Sequence, residues 1–351
     1  MSGPKRVPAE AGTKPPTIAD VARAAAVSPS TVSRALNREH RFYRSPSAAR
    51  IREVAEAIGY APNPVAANLR RQQTNTIGVL VPRLTDTVMA MLYEEIADAS
   101  LKRGYHTLVA TTHDEPGRER ESGEVLLQRR VDGLILTTAR TDGGYCADLT
   151  NKDVPHVLAL RSYGDSAAVV GDDQLGGYLA TRHLIDLGHR RIALIAGPGY
   201  ASSALGRRAG YEEALREAGL PVDERLILPS TFSMESGEQA GQHLLALSPR
   251  PSAAFAVNDN TAIGVLAAVQ RAGLRVPEDL SLVGYNDIPL ASRLPMPLTT
   301  VRVPFDAIAK AAVDKLIDLI AGATGDACHP FAPTLIPRRT TVRAPACGDS
   351  D

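Results

Sequence analysis

The first part of the chain places apolar residues at the three- and four-residue spacing of α-helices, in three short runs. Each run starts at a residue whose hydroxyl can accept a hydrogen bond from the free amides of a first helical turn: Thr17, Ser28 and Ser45. Proline follows Ser28 and Ser45, and proline at the first helical position loses no hydrogen bond. Residues 25–27 join the first two helices, which is the spacing of a helix-turn-helix whose second helix enters the major groove of DNA.

The second helix, residues 29–36, is predicted to bury Val32 and Leu36 and to turn small or polar side chains outwards. Small outward residues allow a helix to approach base edges closely. The third helix, which starts after Ser45, is expected to end at Gly59 in a left-handed conformation. A fourth run, residues 65–71, predicts a further helix that is too short to be stable alone in water.

From Thr76 onwards, short apolar runs alternate with longer helical stretches. Strands separated by helices form βαβ units, and such units build a parallel sheet that helices cover on both faces. The alternation starts again near residue 176. The predicted strands lie at residues 77–81, 107–110, 133–136, 156–160, 192–195, 253–257, 281–284 and 334–342.

The helical part of the chain resembles the N-terminal signature of the LacI/GalR family of bacterial transcriptional regulators. A string of motifs over roughly fifty residues is far more specific than a lone short motif. The resemblance implies a small all-α helix-turn-helix DNA-binding head with a hinge helix, followed by an α/β two-lobed core with the fold of periplasmic binding proteins. The residues that carry it are Thr17-Ile18-Ala19-Asp20-Val21-Ala22, Val27-Ser28-Pro29-Ser30-Thr31-Val32-Ser33-Arg34-Ala35-Leu36-Asn37, Gly59-Tyr60-Ala61-Pro62-Asn63 and Ala66 to Leu69.

The resemblance and the composition together divide the chain into five parts. The proline-rich start and the last residues lack an apolar pattern and are expected to be disordered tails. In the family the chain crosses three times between the lobes, and the ligand lies in the cleft between them. The expected parts are a tail at 1–16, the helix-turn-helix domain at 17–60, the hinge helix and linker at 61–75, the effector-binding domain at 76–343 (lobe one about 76–168 and 293–322, lobe two about 169–292 and 323–343) and a tail at 344–351.

The chain has a formal net charge of zero, with 39 Lys and Arg and 39 Asp and Glu, but this charge is unevenly distributed. Residues 1–75 contain 12 Lys and Arg against 5 Asp and Glu, a net of +7, which leaves −7 for residues 76–351. The positive part coincides with the capped helices. A positive head on a negative body is typical of a domain that binds a polyanion, and double-stranded operator DNA is the expected partner.

Three cysteines, an odd number without paired spacing, argue against a disulfide framework and for a reducing compartment. No apolar run reaches the length of a membrane span, and the N-terminal residues lead into no hydrophobic signal region. We therefore expect a cytoplasmic protein with no membrane partner. His183 and His189 have no accompanying metal ligands, and the sequence has no dinucleotide fingerprint or nucleophile elbow. We expect no metal, no cofactor and no enzymatic activity.

The resemblance implies DNA contacts in the head. Pro29 and Ser30 fall where the family's second helix reads bases, and Arg34 follows one turn later, where a guanidinium can bond guanine O6 and N7 or a phosphate. In the family, a leucine from each hinge helix wedges a base step in the minor groove; Leu69 takes that place, and Ala66 allows close approach. The alternative role of Leu69 is a contact between helices only. The expected DNA-binding residues are Thr17, Ser28, Pro29, Ser30, Thr31, Ser33, Arg34, Asn37, Ala66 and Leu69.

The resemblance also implies effector contacts at the ends of the predicted strands, where parallel sheets bind ligands. Arg207 matches the family's effector-binding arginine, whose planar fork suits vicinal hydroxyls or a carboxylate. Asn286 stands in place of the commoner aspartate, and Val88 stands where an aromatic residue is usual. The expected effector-binding residues are Asp86, Arg161, Arg207, Phe232, Asn258 and Asn286. For Arg161, a structural role is the alternative.

Three aspartates near the same strand ends have a different expected role. A carboxylate at the start of a helix can bond the free amides of its first turn. We therefore expect Asp173, Asp259 and Asp287 to cap the helices that follow them rather than to contact a ligand.

These observations favour a sequence-specific DNA-binding transcriptional regulator, a repressor that a small molecule releases from a palindromic operator, with a sugar as the favoured effector. No leucine heptad follows Arg343, so a homodimer is expected rather than the tetramer of some relatives. One alternative is a corepressor-type regulator whose purine-like ligand tightens DNA binding. Val88 and the polar residues suited to hydroxyls favour the sugar. A second alternative, a solute-binding or enzymatic body with an irrelevant basic extension, conflicts with the helix-turn-helix motifs.

Overall fold

The computed structural model describes residues 16–36, 45–60, 73–323 and 330–345. The chain forms two compact units that divide after Thr74. The hinge helix predicted at residues 65–71 lies outside the described residues.

The first unit contains three described helices, α1 (Ile18–Ala25), α2 (Pro29–Leu36) and α3 (Pro46–Ala57). All three begin where the sequence predicts. Ala26, with a left-handed φ of 55°, ends α1, and Gly59, with a φ of +70°, follows α3 as expected.

The three helices pack around a small apolar core. On α2 this core takes Val32 and Ala35, whereas Leu36, predicted to be buried, is only half-buried. The amide of Ala48 donates to the hydroxyl of Ser45 over 3.1 Å, which caps α3. The buried core residues are Val21, Ala22, Ala25, Val32, Ala35, Ala48, Ile51 and Ala55.

The second unit alternates strands and helices, as the apolar pattern predicts. The elements are β1 (Thr76–Val81), α4 (Thr87–Lys102), β2 (His106–Thr111), α5 (Pro116–Gln128), β3 (Gly133–Leu136), α6 (Gly144–Asn151), β4 (His156–Ala159), β5 (Ala168–Val169), α7 (Asp173–Asp186), β6 (Ile192–Ala196), α8 (Ser202–Glu217), β7 (Ile227–Pro229), α9 (Met234–Ala246), β8 (Ala253–Ala256), α10 (Asp259–Arg271), β9 (Ser281–Asn286), β10 (Thr299–Arg302), α11 (Phe305–Ile320) and β11 (Thr334–Ile336).

Two sheets form the cores of two lobes. The first has the order β2-β1-β3-β4-β5, and the second has the order β11-β10-β9-β8-β6-β7. All strands are parallel to their neighbours except β11, which runs antiparallel to β10. Both lobes therefore have the doubly wound architecture that the sequence predicts.

The chain passes between the lobes three times within the second unit. It leaves the first sheet after β5, returns after β10 so that α11 packs against α4, β3 and β4, and crosses again before β11. Two of the crossing segments pair with each other: the Phe331 amide donates to the Val170 carbonyl over 2.9 Å, and the Asp172 amide donates to the Phe331 carbonyl over 2.8 Å.

The structure corrects the second crossing. The expected lobe one included residues 293–322, but β10 pairs in parallel with β9 and belongs to the second sheet. The chain therefore crosses after Arg302 rather than near residue 292. No helix separates β9 from β10, so the alternation of helix and strand that located the other strands gave no signal here.

The last predicted strand, residues 334–342, is also shorter than expected. Proline has no amide hydrogen to donate, and Pro337 follows directly after β11. Beyond it, the hydroxyl and carbonyl of Thr340 bond the backbone of Leu282 over 2.7 and 2.8 Å and hold this segment on the second sheet. Within the described ranges, none of the helices combines the length and the apolar character that a membrane crossing needs.

Candidate effector cleft and DNA-binding head

In the head, three hydroxyl groups cluster at the start of α2. The Ser28 hydroxyl accepts a hydrogen bond from the Thr31 amide over 3.2 Å and lies 2.8 Å from the hydroxyls of both Ser30 and Thr31. This network caps the helix and fixes the direction of its first turn. The free amides at such a helix end also favour a negative group, such as a phosphate, nearby.

The outward face of α2 carries the side chains expected to meet DNA. Pro29, Ser30, Ser33 and Arg34 are exposed, and Thr31 is half-buried. Among the described residues, the Arg34 guanidinium makes a long hydrogen bond, 3.5 Å from Nε to the Ser30 carbonyl. A hydrogen bond of this length is weak, so it would not hold the guanidinium away from a base edge or a phosphate.

Thr17 lies at the start of α1. Its amide and its hydroxyl both donate to the Asp20 carboxylate, over 2.9 and 2.7 Å, which forms one half of a capping box. These bonds from Thr17 lower the pKa of Asp20. Three other expected DNA contacts, Asn37, Ala66 and Leu69, lie outside the described residues.

In the second unit, side chains from both lobes surround a cavity of about 500 Å³. Most follow the carboxyl ends of parallel strands, the position at which open α/β sheets bind ligands. The structure brings all six expected effector contacts to the lining of this one cavity: Asp86, Arg161, Arg207, Phe232, Asn258 and Asn286.

Arg207 enters the cavity wall from α8 as part of a buried ion pair. Its Nε donates to Asp173 Oδ1 over 2.8 Å, and its Nη1 donates to the Val257 carbonyl over 2.7 Å. The guanidinium carbon lies 3.8 Å from the centre of the Tyr285 ring, and the Tyr285 hydroxyl donates to the same Asp173 oxygen. These contacts fix the plane of the guanidinium before any ligand binds.

The charges of this pair depend on each other. Burial raises the pKa of the Asp173 carboxyl, while the Arg207 guanidinium opposes that rise. Burial alone would lower the pKa of Arg207, but Asp173 outweighs burial, so that the pKa of Arg207 is raised. Arginine stays protonated in proteins, and its charge therefore keeps the buried carboxylate ionised.

Arg161 forms the second ion pair of the cavity. It follows β4, and its two terminal nitrogens donate to the two oxygens of Asp114 over 3.1 and 3.4 Å. Its guanidinium carbon lies 5.8 Å from the ring centres of Phe232 and Tyr200. Bidentate pairing of this kind holds a guanidinium in one orientation.

Asp86 links the two lobes. It caps α4, because its Oδ1 accepts from the Val88 amide over 3.0 Å, and the same oxygen accepts from the Asn260 side chain of α10 over 3.2 Å. Burial raises the pKa of Asp86, although both of these bonds oppose the rise.

Asn258 lines the cavity but also has a structural role. Its Oδ1 accepts from the Thr261 amide over 2.8 Å, which caps α10, and its Nδ2 donates to the Phe232 carbonyl over 2.9 Å. Phe232 and Asn286 both have positive φ angles, 66° and 105°. Side-chain bearing residues rarely adopt such angles, and they are concentrated at functional sites.

The capping role predicted for three aspartates is wrong. Asp172 caps α7, which leaves Asp173 to pair with Arg207. Asn258 caps α10, and Asp259 instead accepts from the Thr300 hydroxyl. Asp287 binds Arg302 and Arg338 at a position that no helix follows directly.

A helix can be capped by the residue before the first acidic one, and the sequence does not distinguish the two positions. The polar lining residues that sequence reasoning missed include Asp114 and Asn260. Asp114 follows β2, so the rule that ligands bind at strand ends could have found it. Within the described residues, no group of three or more His, Cys, Asp and Glu side chains could hold a metal ion.

Two family models match the chain: the lacI family of bacterial regulatory proteins over residues 17–63 and the periplasmic binding protein-like domain over residues 181–341. The ribose operon repressor of Escherichia coli (strain K12) is 37% identical over 311 residues, which cover 88% of this chain and 94% of that protein. The chain belongs to the LacI family of bacterial regulatory proteins.

Other LacI-family proteins resemble the chain over similar lengths. The HTH-type transcriptional repressor PurR of Vibrio atlanticus (strain LGP32) is 32% identical over 315 residues, 87% of this chain and 92% of that protein. The crystal structure of the Lac repressor dimer bound to operator and the anti-inducer ONPF has a TM-score of 0.81 at 28% identity and covers 94% of this chain and 100% of that one. Membership of the LacI family confirms the predicted fold class, a helix-turn-helix head followed by a two-lobed α/β core.

Proposed function

We propose that this LacI-family protein is a homodimeric transcriptional repressor that binds a palindromic operator through its head and releases it when a sugar binds in the cleft. The observation that carries the DNA-binding part is the exposed face of α2, which presents small and hydroxyl-bearing residues followed by Arg34. A face of this kind can approach base edges in the major groove. The ribose operon repressor and PurR are named as repressors.

A sugar is the favoured effector because of the hydrogen-bonding groups around the cavity. Arg161 and Arg207 supply donors in fixed planes, while the Asp86 carboxylate supplies acceptors. Sugar hydroxyls both donate and accept hydrogen bonds, so they can bind the donors and the acceptors of this lining. Ribose is the first probe to use, because a relative that is 37% identical is a ribose operon repressor.

The corepressor alternative has an observation in its favour. PurR is 32% identical to the chain, and the Phe232 ring lines the cavity, where it could stack on a planar base. Against it, Val88 is an aliphatic residue that is only 4% exposed, so it offers no second ring on which a base could stack. Purine bases are therefore the second group of probes.

The further parts of the proposal follow from the same assignment. The head comprises residues 17–60, the hinge and linker 61–75, and the effector-binding domain 76–343, with tails at both ends. The protein acts in the cytoplasm, where bacterial DNA is accessible. Regulation in this account requires binding alone, with no catalytic step.

The test of DNA binding is a mobility-shift measurement with the full chain and palindromic DNA selected from a random library. We expect a specific complex whose affinity falls as salt rises, because phosphate contacts release counterions. Arg216→Ala serves as a control, because it removes an exposed arginine of α8 in the second unit, outside the head. This variant should bind the selected DNA as the wild type does. Failure to select any sequence over random DNA would contradict the proposed function.

A further inference from the structure

One hydrogen bond crosses the cleft between side chains that both line the cavity. Asp86, which precedes α4, accepts it, and Asn260, in the first turn of α10, donates it. The two residues belong to different lobes because α4 follows a strand of the first sheet and α10 follows a strand of the second. A change in the separation of the lobes must therefore stretch or break this bond.

The side-chain oxygen of Asn260 has no hydrogen-bond partner among the described residues. The residue is 7% exposed, and its Oδ1 is buried without a partner among the described residues. The amide cannot be turned over to use this oxygen, because it would then face the carboxylate of Asp86, which only accepts. Buried polar atoms are normally paired, and an unpaired one beside a cavity indicates a group that a ligand supplies.

Asp86 offers a second acceptor beside it. Both hydrogen bonds that the described residues give to this carboxylate go to Oδ1. Its Oδ2 is therefore available for a further donor. Asp86 and Asn260 both line the cavity, and we call the pair formed by Asp86 Oδ2 and Asn260 Oδ1 the acceptor edge.

We propose that Asn260 is an effector contact and that the acceptor edge binds hydroxyl groups of the sugar as donors. The inference rests on the proposed function and deepens it. A sugar bound there satisfies one oxygen from each lobe, and so it stabilises the arrangement in which Asp86 and Asn260 are bonded. Arg161 and Arg207, which also line the cavity, offer donors. The cleft therefore orients a sugar, with two of its hydroxyls donating to the acceptor edge.

Calorimetric titration of the full chain with D-ribose tests this assignment. We expect Asn260→Ala to bind D-ribose at least tenfold more weakly than the wild type, because it removes the acceptor and the bond across the cleft. Gln270→Ala is the matched control, as it removes an exposed side-chain amide from the same helix, and it should bind as the wild type does. Wild-type affinity in Asn260→Ala would overturn the inference while leaving the proposed function intact. A wild-type protein that binds no ribose would overturn the ribose assignment and this inference with it.

A second titration separates direct contact from a general loosening of the site. We expect one deoxyribose analogue to bind the wild type more weakly than ribose does, yet to bind Asn260→Ala as ribose does. Such non-additivity marks a hydroxyl and a side chain that interact. If each analogue binds more weakly than ribose by the same factor in the wild type and in Asn260→Ala, Asn260 makes no contact with a hydroxyl.

The Asn260→Asp variant provides a readout in pH. In this variant the carboxyl group at position 260 faces the Asp86 carboxyl group across the cleft. The two groups can form a hydrogen bond only when they share one proton, because two ionised carboxylates at this distance repel each other. We therefore expect the ribose affinity of Asn260→Asp to rise several-fold from pH 8 to pH 5, whereas that of the wild type stays level or falls. Parallel pH profiles for the two proteins would contradict the contact between these side chains.

Discussion

At the scale of single residues, the cleft depends on arginines that are paired before a ligand arrives. Arg207 is held by Asp173 and by the Val257 carbonyl, and Arg161 is held by Asp114. Fixing a binding group in advance lowers the entropy that a ligand must lose on binding. The same pairing makes the arginines difficult to remove, because each would leave a carboxylate without its partner.

The first prediction concerns Arg207. Arg207→Ala leaves the Asp173 carboxylate buried and unpaired, and breaking such a pair costs about 3–5 kcal/mol. We expect a lower melting temperature for this variant. The double variant Arg207→Gln with Asp173→Asn replaces the ion pair with neutral amides and should recover much of the stability, yet still fail to respond to the effector. A normal effector response in the folded double variant would show that Arg207 is not an effector contact.

The second prediction concerns the pH dependence of stability. Burial raises the pKa of Asp259 to about 7 in the folded chain, against about 3.9 for an exposed aspartate. As pH rises above 4, the unfolded chain releases this proton first, so the folded state loses stability up to about pH 7 and no further. The loss is about 1.4 kcal/mol for each unit of pKa difference.

Urea unfolding of the wild type and Asp259→Asn from pH 4.5 to 8 measures this effect. The variant loses one acceptor, because the carboxylate accepts from the Thr300 hydroxyl and the Ile288 amide. It should therefore be less stable at low pH, and the difference should shrink as pH rises to 7. A constant difference over this range would mean that Asp259 is ionised throughout.

At the scale of elements, α2 is the candidate reading helix, and the third prediction concerns it. Arg34→Ala should weaken operator binding by about 1–3 kcal/mol and leave effector binding unchanged. A contact to a base would also relax specificity at one position, whereas a contact to a phosphate would reduce the salt dependence instead. Operator affinity equal to that of the wild type at matched salt would remove Arg34 from the interface.

Elements with strong local signals were predictable from the sequence. Hydroxyl caps located the first three helices, and apolar runs located the long buried strands. The four-residue β10 was missed because no helix precedes it, and the eight-residue α6, which begins at Gly144, was also missed. The longer helix α9 was missed although Ser233 caps it and its buried residues follow helical spacing. Short elements such as β10 and α6 are stabilised by the sheet or helix that they pack against, which the local sequence does not contain.

The candidate site was predictable only in part. Resemblance located the six lining residues, because a family's motif carries positions along the chain. It did not show that Arg207 pairs with Asp173, since those residues are distant in sequence. It also did not show the unpaired oxygen of Asn260, because such a feature exists only after both lobes have folded.

At the scale of the whole effector unit, Tyr200 forms a second link between the lobes. It follows β6 of the second sheet, and its hydroxyl donates to Asp114 over 3.4 Å. Its carbonyl accepts from the Thr141 amide over 3.0 Å, and the Arg140 guanidinium carbon lies 4.1 Å from its ring centre. These partners all follow strands of the first sheet.

The fourth prediction is that Tyr200→Ala loosens this link. We expect a severalfold loss of effector affinity and faster hydrogen exchange at the Thr141 amide, because local opening exposes that bond. Tyr178→Ala, which removes a half-buried tyrosine bonded to Glu217 within lobe two, should leave the exchange at Thr141 unchanged. Exchange at Thr141 that is equal in the wild type and Tyr200→Ala would mean that the lobes are held together without this residue.

The proposed regulation requires an energetic coupling between two binding events in one chain. A ligand can shift an equilibrium only by its different affinities for the two states, and the coupling is reciprocal. If ribose weakens operator binding by some factor, the operator must weaken ribose binding by the same factor. Couplings of this kind typically reach about 5- to 150-fold.

The most direct test is the operator affinity of the full chain, measured by fluorescence anisotropy at fixed salt, with and without saturating D-ribose. We expect ribose to weaken operator binding at least fivefold, and the Arg207→Gln, Asp173→Asn double variant to bind operator normally but to show no such change. Operator affinity that ribose leaves unchanged would contradict the proposed release by a sugar. Tighter operator binding with a purine base, and no response to sugars, would replace it with the corepressor alternative.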